Sequence, residues 1–127
     1  MPVKIKAVAK GQPGIVGGGD KKYYASPVME GEMNIDALTK SIEKISTVSG
    51  ADIRAVLYAL VDVSVDGLSR GAIIRMGDLG NLRITLSSEG KPSAQEVTGA
   101  SVKKAKINFT PGARLKEMLQ TLKYQKV

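Results

Sequence analysis

The 127-residue sequence contains no cysteine and no histidine. Disulfides are thereby excluded. The commonest transition-metal ligands are missing too, so no zinc site or other metal cofactor is expected. No run approaches the roughly 20 apolar residues that cross a bilayer, and the first residues lack the apolar centre of a secretory signal. The expected protein is soluble and cytoplasmic, without a membrane partner. Catalysis would have to rest on paired carboxylates or an activated Lys, Tyr or Ser. Asp62 and Asp66 stand one helical turn apart, a spacing that reads as an exposed helix face. No enzymatic activity, cofactor or small-molecule substrate is expected.

What the chain does have is one domain's length, 43% hydrophobic residues and a net charge of +7. The charge is unevenly spread: +2 over residues 1–33, zero over 34–87 and +5 over 88–127. A clustered basic face is the electrostatic footprint of a polyanion binder; a solvated, solubilising surface is the plainer alternative.

The stretch around which the rest is organised runs from Gly71 to Lys116. Ala72 to Met76 and Asn81 to Leu86 are β-prone runs joined by Gly77-Asp78-Leu79-Gly80, whose glycines allow the positive φ of a tight reversal. A third strand is expected from Val102 to Phe109. Pro111, with fixed φ and no N–H, is placed to stop it and open a helix at its first position. Residues 87–101 between the second and third strands are almost free of apolar side chains, which predicts a projecting arm with a Glu89-Gly90-Lys91-Pro92-Ser93 turn near its start.

Before this unit, Val3, Ile5, Ala7 and Ala9 alternate with Lys4 and Lys6, predicting a strand at a sheet edge, where lysines discourage unwanted pairing. Residues 11–20 form a glycine-rich linker lacking the Lys-Ser/Thr ending of a phosphate loop. Residues 21–28 are a second short strand, in which Tyr23 and Tyr24 are either packing residues or, after two lysines, base-stacking platforms. Asn34 caps a helix starting at Ile35, with Leu38, Ile42 and Ile45 as its stripe. Ser49 caps a second helix reaching about Leu68, with Gly67 and Gly71 at its end. Ile53, Val56, Leu57, Leu60, Val61 and Val65 make it apolar over more than one face, so a second subunit is a natural source of cover. A last helix is expected over 112–122, with 123–127 closing beside the N-terminal strand.

This order of parts resembles the bacterial HU and integration host factor family of histone-like DNA-binding proteins. The match is carried by Gly80-Asn81 within GDLGNL, by Phe109-Thr110-Pro111-Gly112 with Leu115-Lys116 within INFTPGARLK, and by the distance from Ser49 to the hairpin turn. It covers roughly residues 34–122, and 1–33 is an N-terminal extension found in a divergent subgroup. The resemblance implies an α+β fold: two helices, a three-stranded antiparallel sheet with a projecting arm, and a short C-terminal helix, paired into an intertwined homodimer. It implies a 34–127 DNA-binding domain that bends double-stranded DNA with little sequence preference, its arms in the minor groove, in the nucleoid.

The residues expected to contact DNA are Arg83, Lys91, Pro92, Lys104, Lys106, Arg114 and Lys116. Alternation puts Lys104 and Lys106 on one face of the third strand, opposite Ala105, Ile107 and Phe109, and Pro92 is the candidate wedge between base steps. Several positions depart from the family's pattern. Lys91-Pro92 stands in for an Arg-Asn-Pro tip, Glu89 and Glu96 sit in the arm, and Leu79 and Leu82 occupy usual phenylalanine positions. In the strand-to-helix motif, Thr110 and Ala113 stand at commonly basic positions and Arg114 at a commonly small one. The alternative reading is an HU-like scaffold used mainly for protein interaction or assembly.

Overall fold

The structure is a computed structural model and describes residues 2–11, 14, 17 and 19–127. The chain divides into two compact units: Asn34–Glu117, and Met1–Met33 together with Met118–Val127.

The larger unit begins with α1 (Ile35–Ile45) and α2 (Gly50–Ser69). Asn34 caps α1, its Oδ1 accepting the Ala37 N–H at 2.9 Å, and Ser49 Oγ accepts the Asp52 N–H at 3.3 Å at the start of α2. Each satisfies one of the donors that a helix start leaves unpaired. Replacing Asn34 with Ala is therefore expected to lower stability by about 1 kcal/mol, readable as a fall in thermal midpoint. An Arg54–Asp36 ion pair ties the two helices together. The helix α2 ends at Ser69, where Gly71 at φ +84° turns the chain. Gly67 is not its terminator: it is buried within α2, where a side chain would run into Ile74 Cδ1 at 2.7 Å.

Three strands follow, β3 (Ile74–Arg75), β4 (Gly80–Ser88) and β5 (Val102–Pro111), in the antiparallel order β3-β4-β5. The first is shorter than its β-prone run, because only Ile74 and Arg75 find partners, opposite Leu82 and Asn81. A single 3-10 turn over Gly77–Leu79 makes the reversal, with positive φ at Gly77 and at Gly80. Pro111 is the last residue of β5 rather than the first of a helix; α3 (Ala113–Gln120) starts two residues later, its first turn closed by the Lys116 N–H donating to Gly112 O at 3.0 Å.

The smaller unit is a second three-stranded sheet: β1 (Val3–Lys10) lies between β2 (Lys22–Pro27) and β6 (Tyr124–Lys126). The pairing is antiparallel to β2 and parallel to β6. The closing segment thus does lie beside the first strand. That first strand, however, is central over Val3–Ile5, where Lys4 guards no open ladder, while from Lys6 to Lys10 it pairs with β2 alone. Tyr23 and Tyr24 are not packed away either, being 74% and 43% exposed. Half of the glycine-rich linker (residues 12, 13, 15, 16 and 18) lies outside the described residues.

Burial is sparse. Among the described residues, the hydrophobic side chains buried outright are Ile53 and Leu68. Along α2, those two and half-buried Leu57 share one face, which α1 and β3 help to cover. At 100° per residue, Val56, Leu60 and Val63 form a stripe on one flank and Tyr58, Val61 and Val65 one on the other, and all six are exposed. Asp62 and Asp66 lie between the stripes on the outer side, where Arg70 pairs with Asp66 at 2.7 Å.

Candidate nucleic-acid interface

Strand register builds the candidate site. Residues directly opposite in an antiparallel pair project to the same face, and neighbours along a strand to opposite faces. The pairings Leu82–Phe109, Ile84–Ile107 and Leu86–Ala105 therefore make one apolar face of the β4–β5 ribbon. Arg83–Asn108, Thr85–Lys106 and Ser87–Lys104 make the other, with Asn81–Thr110 at its base. Arg83, Lys104 and Lys106 thus share a face that bears no carboxylate, since neither strand contains Asp or Glu. None of the three takes part in a salt bridge among the described residues. Lys104 and Lys106 are exposed and Arg83 half-buried.

Lys103 behaves differently. The register shifts between Ser87 and Ser88, which pair with Lys104 and Val102, so Lys103 is the extra residue of a β-bulge. A bulge bends its strand and increases the local twist; here it comes just where the ribbon ends.

The polar run is not an extended arm. The ribbon itself extends to Ser88 and Val102, and residues 89–101 fold into a compact loop with 3-10 turns at Ala94–Glu96 and Gly99–Ser101. Ser101, only 3% exposed, locks it. Its carbonyl accepts from the Glu89 N–H at 2.8 Å and from Ser88 Oγ at 3.2 Å, and its Oγ accepts the Thr98 N–H at 3.1 Å. Lys91 sits in this loop with its Nζ 3.2 Å from Glu89 Oε2, so part of its charge is answered internally. Pro92 is exposed beside it. Arg114 and Lys116, both exposed, stand in the first turn of α3 and, two residues apart, point to different sides of it.

The structure therefore brings together three of the seven expected residues, Arg83, Lys104 and Lys106. It places Lys91 and Pro92 in the loop at the far end and Arg114 and Lys116 on a helix at the base. Reasoning from charge passed over the short polar residues that complete the ribbon face. Thr85, Ser87 and Asn108 are exposed on it and bring hydroxyl and amide groups suited to phosphate oxygens. Their signal was the alternation in RITLS and KAKINFT.

Residues 1–126 match the profile of a family described as an HU domain fused to wHTH, Ig or glycine-rich motifs. Among solved structures, the chain is similar to a candidate bacterial DNA-binding protein from Bacteroides vulgatus ATCC 8482, with a TM-score of 0.66 and 13% identity. That likeness covers 100% of this chain and 49% of the other, so this chain spans about half its length; at such identity it shows the fold. No curated protein matches the chain. With nearly every residue inside the family profile, the chain belongs to the HU-HIG family, and its α+β fold is HU-like.

Proposed function

We propose that the protein binds double-stranded DNA as a histone-like homodimer, with little sequence preference, its ribbons lying along the minor groove and bending the duplex. The observation that carries this reading is the carboxylate-free face of β4–β5, where Arg83, Lys104 and Lys106 stand among hydroxyl and amide side chains. Such a face reads backbone charge and groove shape rather than base edges. Family membership and the DNA-binding description of the Bacteroides vulgatus protein point the same way. The role is binding rather than catalysis, the place of action the nucleoid, and residues 1–33 an addition to the DNA-binding domain.

Exposure supports the homodimer. The accessible surface is 10352 Å², whereas a folded monomer of 13.4 kDa exposes about 6,500 Å². Treated as two separate units the chain would still expose only about 7,800 Å². Much of the excess is apolar: both flanks of α2, and the ribbon face with Leu86 and Ile107 each 62% and Phe109 46% exposed. Placing Glu at Val56 and Val63 is expected to convert a dimer into monomer or unfolded chain, read by light scattering after size exclusion. A wild-type protein that runs as a stable monomer contradicts the proposal.

The test of DNA binding is affinity for a random-sequence duplex at two salt concentrations. A fall in log K with log salt of about 0.9 per phosphate contacted is expected. Absent or salt-insensitive binding would favour the second reading, an HU-like scaffold for protein assembly. The carboxylates of the loop, Glu89 and Glu96, with Lys91 already paired, are the feature that favours it.

A further inference from the structure

We infer that the smaller unit carries a second phosphate-binding surface, the lysine face of β1–β2, which contacts the sugar-phosphate backbone of duplex DNA independently of the β4–β5 ribbon. The inference rests on the DNA-binding reading above and assigns a role to the N-terminal sheet.

Register again decides which side chains meet. Lys6 lies opposite Ser26, Val8 opposite Tyr24 and Lys10 opposite Lys22, so these six share one face. Lys4, two residues before Lys6, is on that face too. Ile5, Ala7 and Ala9, opposite Pro27, Ala25 and Tyr23, line the other, where Ile5, Ala25 and Pro27 form an apolar groove with Val3, Leu122 and Tyr124. The smaller sheet is thus cationic on one side and apolar on the other.

Three features separate this face from an ordinary solvated surface. First, the register gathers four lysines, Lys4, Lys6, Lys10 and Lys22, on one side of the sheet; β6 pairs only with Val3–Ile5, so beyond Ile5 the strand β1 has β2 as its one neighbour. Second, Lys10 and Lys22 are directly opposed, and like charges facing each other across an antiparallel pair destabilise the sheet. The structure answers one lysine of the face with a carboxylate, Lys4, whose Nζ is 2.6 Å from Glu30 Oε1. Lys6, Lys10 and Lys22 have no such partner among the described residues, and all three are exposed. An anionic ligand would relieve the repulsion that the fold leaves standing. Third, the face includes the ring and hydroxyl of Tyr24, 43% exposed, between the two lysine positions. Lys6 and Lys10 are separated by about 13 Å along the strand, so the patch spans several phosphates of a duplex that carries one charge per roughly 1.7 Å of axis.

The chemistry selects a polyanion read by charge. Lysine is a point charge on a flexible stem rather than a planar fork for a single carboxylate or phosphate, and the neighbouring groups, Ser26 and Tyr24, have no pattern that would read bases. Among polyanions we commit to duplex DNA because the rest of the chain belongs to an HU family.

The experiment compares the full-length protein with the variant Lys6→Gln/Lys10→Gln/Lys22→Gln in duplex titrations at several salt concentrations. Three lost phosphate contacts should lower the salt slope by about 2 to 3 for each sheet engaged and weaken binding tenfold or more at low salt, with an unchanged or higher thermal midpoint. The single variant Lys22→Gln should also bind more weakly while melting no lower than wild type, since it removes the facing charge. An unchanged slope and affinity in the triple variant, beside a wild type that binds DNA, overturns this inference and leaves the ribbon reading intact. A lower melting temperature in Lys22→Gln would make that lysine structural and equally overturn it. A wild type that ignores duplex at low salt removes both readings. One that binds phosphatidylglycerol vesicles without competition from duplex identifies the face as a membrane contact instead.

Discussion

Replacing Gly112 with alanine is expected to unfold the base of the ribbon, at a cost of about 3 kcal/mol or more. A Cβ at this position would stand 2.8 Å from Gly77 O and closer still to the carbonyl of Asp78. Both obstacles are backbone in the 3-10 turn that reverses the chain, so no side-chain rotation gives way. The Gly112 N–H also donates to Leu79 O at 3.1 Å, fastening the start of α3 to that turn. The neighbouring glycine is as constrained: Gly80 has φ +142°, and its Cβ would meet Phe109 Cε1 at 2.8 Å and the Thr110 carbonyl still closer. Two glycines thus let the turn and the end of β5 lie against each other without side chains between them. A fall in thermal midpoint of about 10 °C or more is the expected reading. Gly90→Ala is the control, because nothing lies within 4 Å of its added Cβ, and it should change stability by less than about 0.5 kcal/mol. If Gly112→Ala melts like wild type, the close approach does not exist in solution.

The second large effect concerns binding alone. Converting Arg83, Lys104 and Lys106 together to Gln should remove three phosphate contacts per protomer, six in a dimer, and so lower the salt slope by about 5. At 0.2 M salt this amounts to a loss on the order of a thousandfold in affinity. The fold should be indifferent, since these side chains make no salt bridge among the described residues and lie on the face opposite the apolar ladder. Dimerisation measured by light scattering should therefore match wild type. Lys103→Gln, at the bulge, should have a much smaller effect. Comparable losses from Lys103 and from Lys104 with Lys106 would mean that charge, not the face, determines binding.

How much of this was legible beforehand follows from how local each signal is. The starts of α1 and α2 could be placed to the residue because Asn34 and Ser49 are caps whose side chains act within three residues of themselves. The common face of Lys104 and Lys106 was equally plain, since alternation along a strand is a property of the backbone. That Arg83 joins them depends on register across two strands, and short-range pattern does not fix register. The central position of β1 was misread for the same reason: its second neighbour, β6, comes from the far end of the sequence. The loop at 89–101 was misread because its order rests on Ser101, a residue whose backbone and hydroxyl hold the loop shut although its type carries no such mark. Polarity showed that the segment is outside a core, which is true of an extended arm and of a closed loop alike.

The parallel pairing of Val3–Ile5 with Tyr124–Lys126 has a bearing on how the molecule forms. The strands β1 and β2 can meet as soon as they leave the ribosome, but their sheet stays one member short until residues 124–126 have been made. All of Asn34–Glu117 lies between, in effect an insertion into the smaller unit. Closing so long a loop in a disordered chain carries an entropy penalty that a folded insert largely removes. The helical and ribbon portion is therefore expected to acquire its structure first, with the small sheet completed only after it.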